Sequence, residues 1–133
     1  MSNVQPVVRH LIPCEEVLVD EANPRRVSIV GLISAIRSVE GRPFPLRYRE
    51  LCVFVQLTSC RGPAECRVEI RHADSDAVVF RSQPRVIQLP TDPLEVTGIA
   101  FRIRDCLYQQ AGLYWVQFWY MEEMLFQQPL LLR

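Results

Sequence analysis

Residues 66–71 read Cys66-Arg67-Val68-Glu69-Ile70-Arg71, an unbroken one-for-one alternation of apolar and charged side chains. Side chains on an extended strand point to opposite faces in turn. The stretch therefore predicts a strand with Cys66, Val68 and Ile70 on a core and Arg67, Glu69 and Arg71 towards water. A sheet with one dry and one wet face is the antiparallel pattern, and the fold class follows from finding the same pattern on either side.

Before this stretch, Val7–Val19 is a first run, interrupted by Pro13, which predicts an edge strand or a bulge because proline lacks a ladder donor. Arg26–Arg37 is a second run, with Val27, Ile29, Gly31 and Ile33 alternating against Ser28, Val30, Leu32 and Ser34. Tyr48–Thr58 places Leu51, Val53, Val55 and Leu57 on one face and Cys52, Phe54, Gln56 and Thr58 on the other, the mark of a central strand covered on both sides. After it, Ala77–Arg81 and Val86–Leu89 are short fragments, and Leu94–Arg104 turns Ile99, Phe101 and Ile103 inward. Asp105–Gln110 reads as a loop. Ten prolines and five glycines punctuate the chain, and no window shows a helical stripe. The expectation is a single domain over 1–133: an all-β, two-layer antiparallel sandwich of Greek-key or immunoglobulin-like type with seven to eight strands, a small barrel being the alternative.

Composition narrows the function. Fifteen basic and fifteen acidic residues cancel, against a nucleic-acid or anionic-membrane binder, which needs a basic excess. Every basic residue is arginine, so lysine chemistry and the Walker phosphate loop are absent. No apolar run is long enough to span a membrane, and the N-terminus has no signal-peptide pattern, so a cytoplasmic location with reduced thiols is expected.

Catalytic motifs are also missing. His10 and His72 have no acid placed beside them in a motif, and there is no Gly-x-Ser-x-Gly elbow. Cys14, Cys52, Cys60, Cys66 and Cys106 form no C-x-x-C pair. They read as small buried hydrophobes, with a Cys60–Cys66 disulfide, or a metal site with His72, as the rival arrangement. Asp74 and Asp76 form a D-x-D, with Asp92 in another loop, which suggests calcium at the sandwich end; the same residues are ordinary turn formers. No catalytic, cofactor or metal residue is assigned, and the chain is read as a non-enzyme without a cofactor.

The closing hairpin carries the sharpest functional hint. In Leu113-Tyr114-Trp115-Val116-Gln117-Phe118-Trp119-Tyr120-Met121, the residues Tyr114, Val116, Phe118 and Tyr120 make a core stripe. The opposite face holds both tryptophans, Trp115 and Trp119, with Gln117 and Met121. Trp and Met are enriched in interface cores, and Trp is a frequent hot spot. Trp115, Trp119 and Met121 are therefore the candidate interface, for another protein or a second copy of the chain. The competing expectation is that Pro43–Tyr48 or Asp105–Gln110 covers the indoles.

Cys14-Glu15-Glu16 in the first strand, Val27-Ser28-Ile29-Val30-Gly31-Leu32 in the second, and a closing hairpin opened by Gly112-Leu113-Tyr114 resemble a family of short uncharacterised bacterial β-sandwich proteins, a domain of unknown function. The resemblance implies a sandwich and no site residues. The expected role is a non-enzymatic protein-binding or assembly module; a small-ligand or calcium-binding sandwich using its end loops is the alternative.

Overall fold

A computed structural model of the chain describes residues 5–38, 44–59, 62–89, 92 and 94–133. The described residues form ten strands and no helix: β1 (Val7–Val19), β2 (Val27–Leu32), β3 (Ala35–Ile36), β4 (Leu46–Thr58), β5 (Gly62–His72), β6 (Val78–Arg81), β7 (Arg85–Leu89), β8 (Thr97–Tyr108), β9 (Gly112–Tyr120) and β10 (Glu123–Leu132). A four-stranded sheet runs β2-β1-β4-β8, and a six-stranded sheet runs β3-β10-β9-β5-β6 with β7 also on β5. The chain passes between the sheets at β2–β3, β3–β4, β4–β5, β7–β8 and β8–β9, so apolar faces from distant segments meet in one interior.

That interior is the set of inward residues of the alternating runs. Leu51, Val53, Val55 and Leu57 of β4 meet Val68 and Ile70 of β5 and Val116 and Phe118 of β9, all essentially inaccessible. Phe101 of β8 and Phe118 of β9 touch edge to face across the two layers, with centroids 6.5 Å apart. Cys52 and Phe54, on the outer side of β4, are also buried, flanked within the sheet by β1 on one side and β8 on the other.

Several boundaries differ from the sequence pattern. The run Arg26–Arg37 is two strands in two sheets, with β3 pairing in parallel with the end of β10. The register of β1 against β2 skips the Glu15–Gly31 position, where Gly31 adopts φ +67° and a Cβ would meet the Glu15 side chain at 2.7 Å. This split, and the short β6 and β7, bring the count to ten strands where seven or eight were expected, and the β3–β10 pair makes one sheet mixed. Pro13 lies inside β1 beside Val53 of β4; the register with β2 begins only at Cys14, although the Pro13 carbonyl still accepts from the Ile33 N–H just beyond β2 at 2.9 Å. The predicted loop from Asp105 is instead strand as far as Tyr108. Asp105 takes φ +53°, a conformation Asp tolerates better than most residues, and the strand beyond it buries Cys106 and Tyr108.

β5 has an unusual edge. Its C-terminal half pairs with β6 and its N-terminal half with β7, so two short strands share one side of a long one. Ser82 fills the seam: its N–H donates to the Val68 carbonyl and its Oγ accepts from the Val68 N–H, both at 2.9 Å.

Candidate contact face

Register places the alternating residues of β5, β9 and β10 side by side. Arg67, Glu69 and Arg71 lie opposite Trp119, Gln117 and Trp115, which lie opposite Met124, Gln127 and Pro129 in turn. All face away from the interior, on the outer surface of the six-stranded sheet. Arg81 joins them from β6, directly across from Glu69.

The centre of this surface is a carboxylate. Glu69 has no exposed side-chain area, although its strand parity directs it outward. Arg67 Nε donates to Oε2 at 2.7 Å, Arg71 donates to Oε1 at 2.9 Å, and Arg81 Nε donates to Oε2 at 3.1 Å. Burial alone would raise the Glu69 pKa; the Arg67 and Arg71 hydrogen bonds and the nearby Arg81 charge overcome it and hold the carboxyl below its usual range. Three cations around Glu69, one of them also paired with Asp76, leave this patch net positive, with Arg81 the most open of the three.

The indoles are built into the same network. The Arg67 guanidinium sits 4.6 Å from the Trp119 ring centroid and that of Arg71 5.9 Å away, each stacking contact giving about 0.5–1 kcal/mol near a surface. The Trp119 Nε1–H donates to Gln117 Oε1 at 3.2 Å, and the Gln117 amide donates to Gln127 Oε1 at 3.0 Å. Trp115 and Trp119 are half-buried. Of the segments expected to cover them, the described strand portions Leu46–Tyr48 and Asp105–Tyr108 belong to the other sheet, and Pro43 lies outside the described residues. Arginine side chains from β5 lie over Trp119 instead.

Met121 does not sit on this strand face. β9 stops at Tyr120, which pairs with Glu123, so Met121 and Glu122 form the turn and Met121 takes φ +53°. Its carbonyl still accepts from Arg67 at 2.8 Å, and its side chain is 38% exposed beside the patch. Met124 of β10, directly opposite Trp119, is the methionine on this face, where the sequence pattern had put Met121 next after Trp119 on the same strand. Arg67, Glu69, Arg71 and Arg81 are the part of the surface that sequence reading missed. The alternation marked three of them as outward, but only register shows that they converge on one carboxylate.

The remaining candidates are dispersed. His72 is buried; its Nδ1 accepts from the Ser75 N–H at 3.2 Å and lies 3.1 Å from the Ser75 hydroxyl. This serine–histidine contact closes the turn that follows β5, with Ser75 Oγ also accepting from the Ala77 N–H. A Cβ on Gly112 would approach His72 Nε2 to 3.1 Å, so that nitrogen lies close against the Gly112 backbone. His10 is exposed on β1. Burial, then the neighbouring Cys52, pushes the Cys14 thiol up to about 11, and burial raises Cys52 and Cys106 as well. Protonated thiols are poor nucleophiles. Cys60 lies outside the described residues, and so does its pairing with Cys66. Asp76 pairs with Arg71 at 3.6 Å, and Asp92 Oδ1 accepts from the Leu94 N–H at 2.9 Å, so these acids serve turns; Asp74 is exposed. Among the described residues no three His, Cys, Asp or Glu side chains are grouped to hold a metal, and no helix is long and apolar enough to cross a membrane.

A family profile described as a family of unknown function (DUF6941) matches residues 11–133. A comparison with curated proteins finds no match.

Proposed function

The chain belongs to that family of unknown function, and on this footing we propose that it is a non-enzymatic protein-binding or assembly module whose contact surface is the outer face of the six-stranded sheet. The observation that carries the reading is the arginine-clamped tryptophan stripe. Trp119 lies beneath Arg67, with Trp115 two positions along, and exposed Met124 and Leu113 extend the apolar area. Trp, Arg and Met are the residue types that concentrate in interface centres.

The clamp also removes the usual objection to such a surface. Long arginines lose much conformational freedom when a partner immobilises them. Here Glu69 holds Arg67 and Arg71 in place beforehand, so part of that cost falls in folding and not in association. The acids Glu65, Glu122 and Glu123 stand exposed at the β9–β10 turn end, beside the basic patch. A face with separated acidic and basic zones suits an isologous pair, in which each zone meets its opposite. A cytoplasmic location is part of the same reading, since buried, protonated thiols suit a reducing compartment.

The test is the mass of the purified protein, alone and with co-purifying protein, measured by sedimentation over a wide concentration range. The wild type is expected to form a species heavier than one chain, and the double variant Trp115→Ser, Trp119→Ser to lose it while keeping its circular dichroism spectrum. Arg81→Glu, which leaves both indoles in place, is expected to weaken the same species. A wild type and variants that sediment identically would end the proposal.

A further inference from the structure

A cleft of about 680 Å³ opens on the other side of the molecule, over the outer surface of the four-stranded sheet. Its floor is Phe54 of β4, lying so close over Gly98 of β8 that a Cβ there would come within 2.9 Å of the ring. Its walls are Val17, Val19, Val27 and Ile29 from β1 and β2, with Leu94 and Val96 from the segment leading into β8. Val19 is 57% and Leu94 84% exposed, so apolar side chains stand in water along the opening. The Arg25–Glu95 ion pair joins the two sides and cancels its own charge.

One charge in the cleft is left uncompensated. The ladder between β1 and β4 shifts register between Val8 and His10, and this bulge sets Arg9 out of the pairing. Arg9 lines the cleft and has no carboxylate or hydrogen-bond partner among the described residues. The volume lies within the range of small-molecule sites, which pair an apolar lining with a few polar groups. We propose that this cleft binds a free monoanionic amphiphile, its head against Arg9 and its apolar body along Phe54, Val17, Ile29 and Val96. The site is independent of the tryptophan face, which lies on the other sheet.

The probe is sodium decanoate below its micelle concentration, titrated calorimetrically and by amide chemical shifts on the full chain. The expected result is one-to-one saturation, with the largest shifts at Val17, Ile29, Phe54 and Gly98. Octanoate should bind roughly ten-fold more weakly, as the loss of two buried methylenes implies. Arg9→Gln should weaken decanoate about ten-fold, as the loss of a charged hydrogen bond implies. Ala100→Trp, which fills the opening, should abolish binding, while the Trp115, Trp119 double variant should bind as the wild type does. Decyltrimethylammonium, with the same tail and the opposite charge, should bind much more weakly. The inference is overturned if decanoate fails to saturate, if the cation binds as well as the anion, or if shifts centre on Trp119. It is also overturned if the protein sediments with phosphatidylglycerol vesicles while ignoring the free anion.

Discussion

Replacing Glu69 with Gln keeps the shape of the side chain and removes the charge that three arginines share. Each charged hydrogen bond at a buried carboxylate contributes about 1.5–3 kcal/mol, and removing one partner of a fully buried ion pair costs about 3–5 kcal/mol. The arginines here are not fully buried: Arg67 and Arg71 are about one-fifth exposed and Arg81 more than half, so freed guanidinium groups regain water. The contacts also share one acceptor and are not additive. The expected loss is therefore about 2–3 kcal/mol, below the buried-pair range. Urea unfolding followed by circular dichroism measures it, with Glu65→Gln, on the same strand and face but exposed, as a control expected within about 0.5 kcal/mol. The pH dependence adds a signature. The folded state holds the Glu69 carboxyl below its ordinary value of 4.5, so its contribution is present above that pH and is lost as pH falls through the folded-state value. The wild type should lose stability on acidification faster than Glu69→Gln, and the two curves should converge in acid. A variant less than about 0.5 kcal/mol weaker at neutral pH, or acid limbs of identical slope, would refute the view that the cluster holds this face together.

Gly98→Ala should destabilise by about 1–3 kcal/mol in the same urea assay, because the new methyl meets the Phe54 ring and the strand pair around it must shift. Tyr108→Phe should be neutral or stabilising by about 1 kcal/mol. The Tyr108 hydroxyl is sealed in the core with no partner by hydrogen-bond geometry, the neighbouring Cys106 thiol is at best a weak one, and the ring packing against Tyr114 is kept. Stability should fall as pH rises from about 9 towards 11. Cys14 keeps its proton to higher pH when folded than when unfolded, so the folded state holds more protons there, and Cys14→Ala should flatten that slope in urea midpoints measured across the range.

The two-layer architecture was legible because β4, β5, β8 and β9 repeat with period two over long spans, and burial follows the parity of Val68, Ile70, Ile99 and Phe118 as expected. The boundaries that escaped depend on single residues in left-handed backbone. Nothing about Met121 marks it as a turn residue, and φ +53° there is set by where Tyr120 and Glu123 pair. Likewise β3 is two residues long and defined only by its neighbour β10, so no local pattern announces it. Of the contact face, Trp115 and Trp119 were legible as outward indoles. The arginine clamp was not, because Arg81 meets Glu69 across twelve residues of chain by a pairing that alternation alone does not specify.

The divided edge of β5 has a consequence for how the sheet resists intrusion. A strand from another molecule that displaced β6 would meet β7 after a few residues, and one that displaced β7 would stop at β6. Between them, the twin bonds of Ser82 to Val68 keep the junction closed. An invader can therefore gain only half the length of β5 at a time, while two native segments compete to return. The 11-residue flank of β5 is in this way offered only in short instalments.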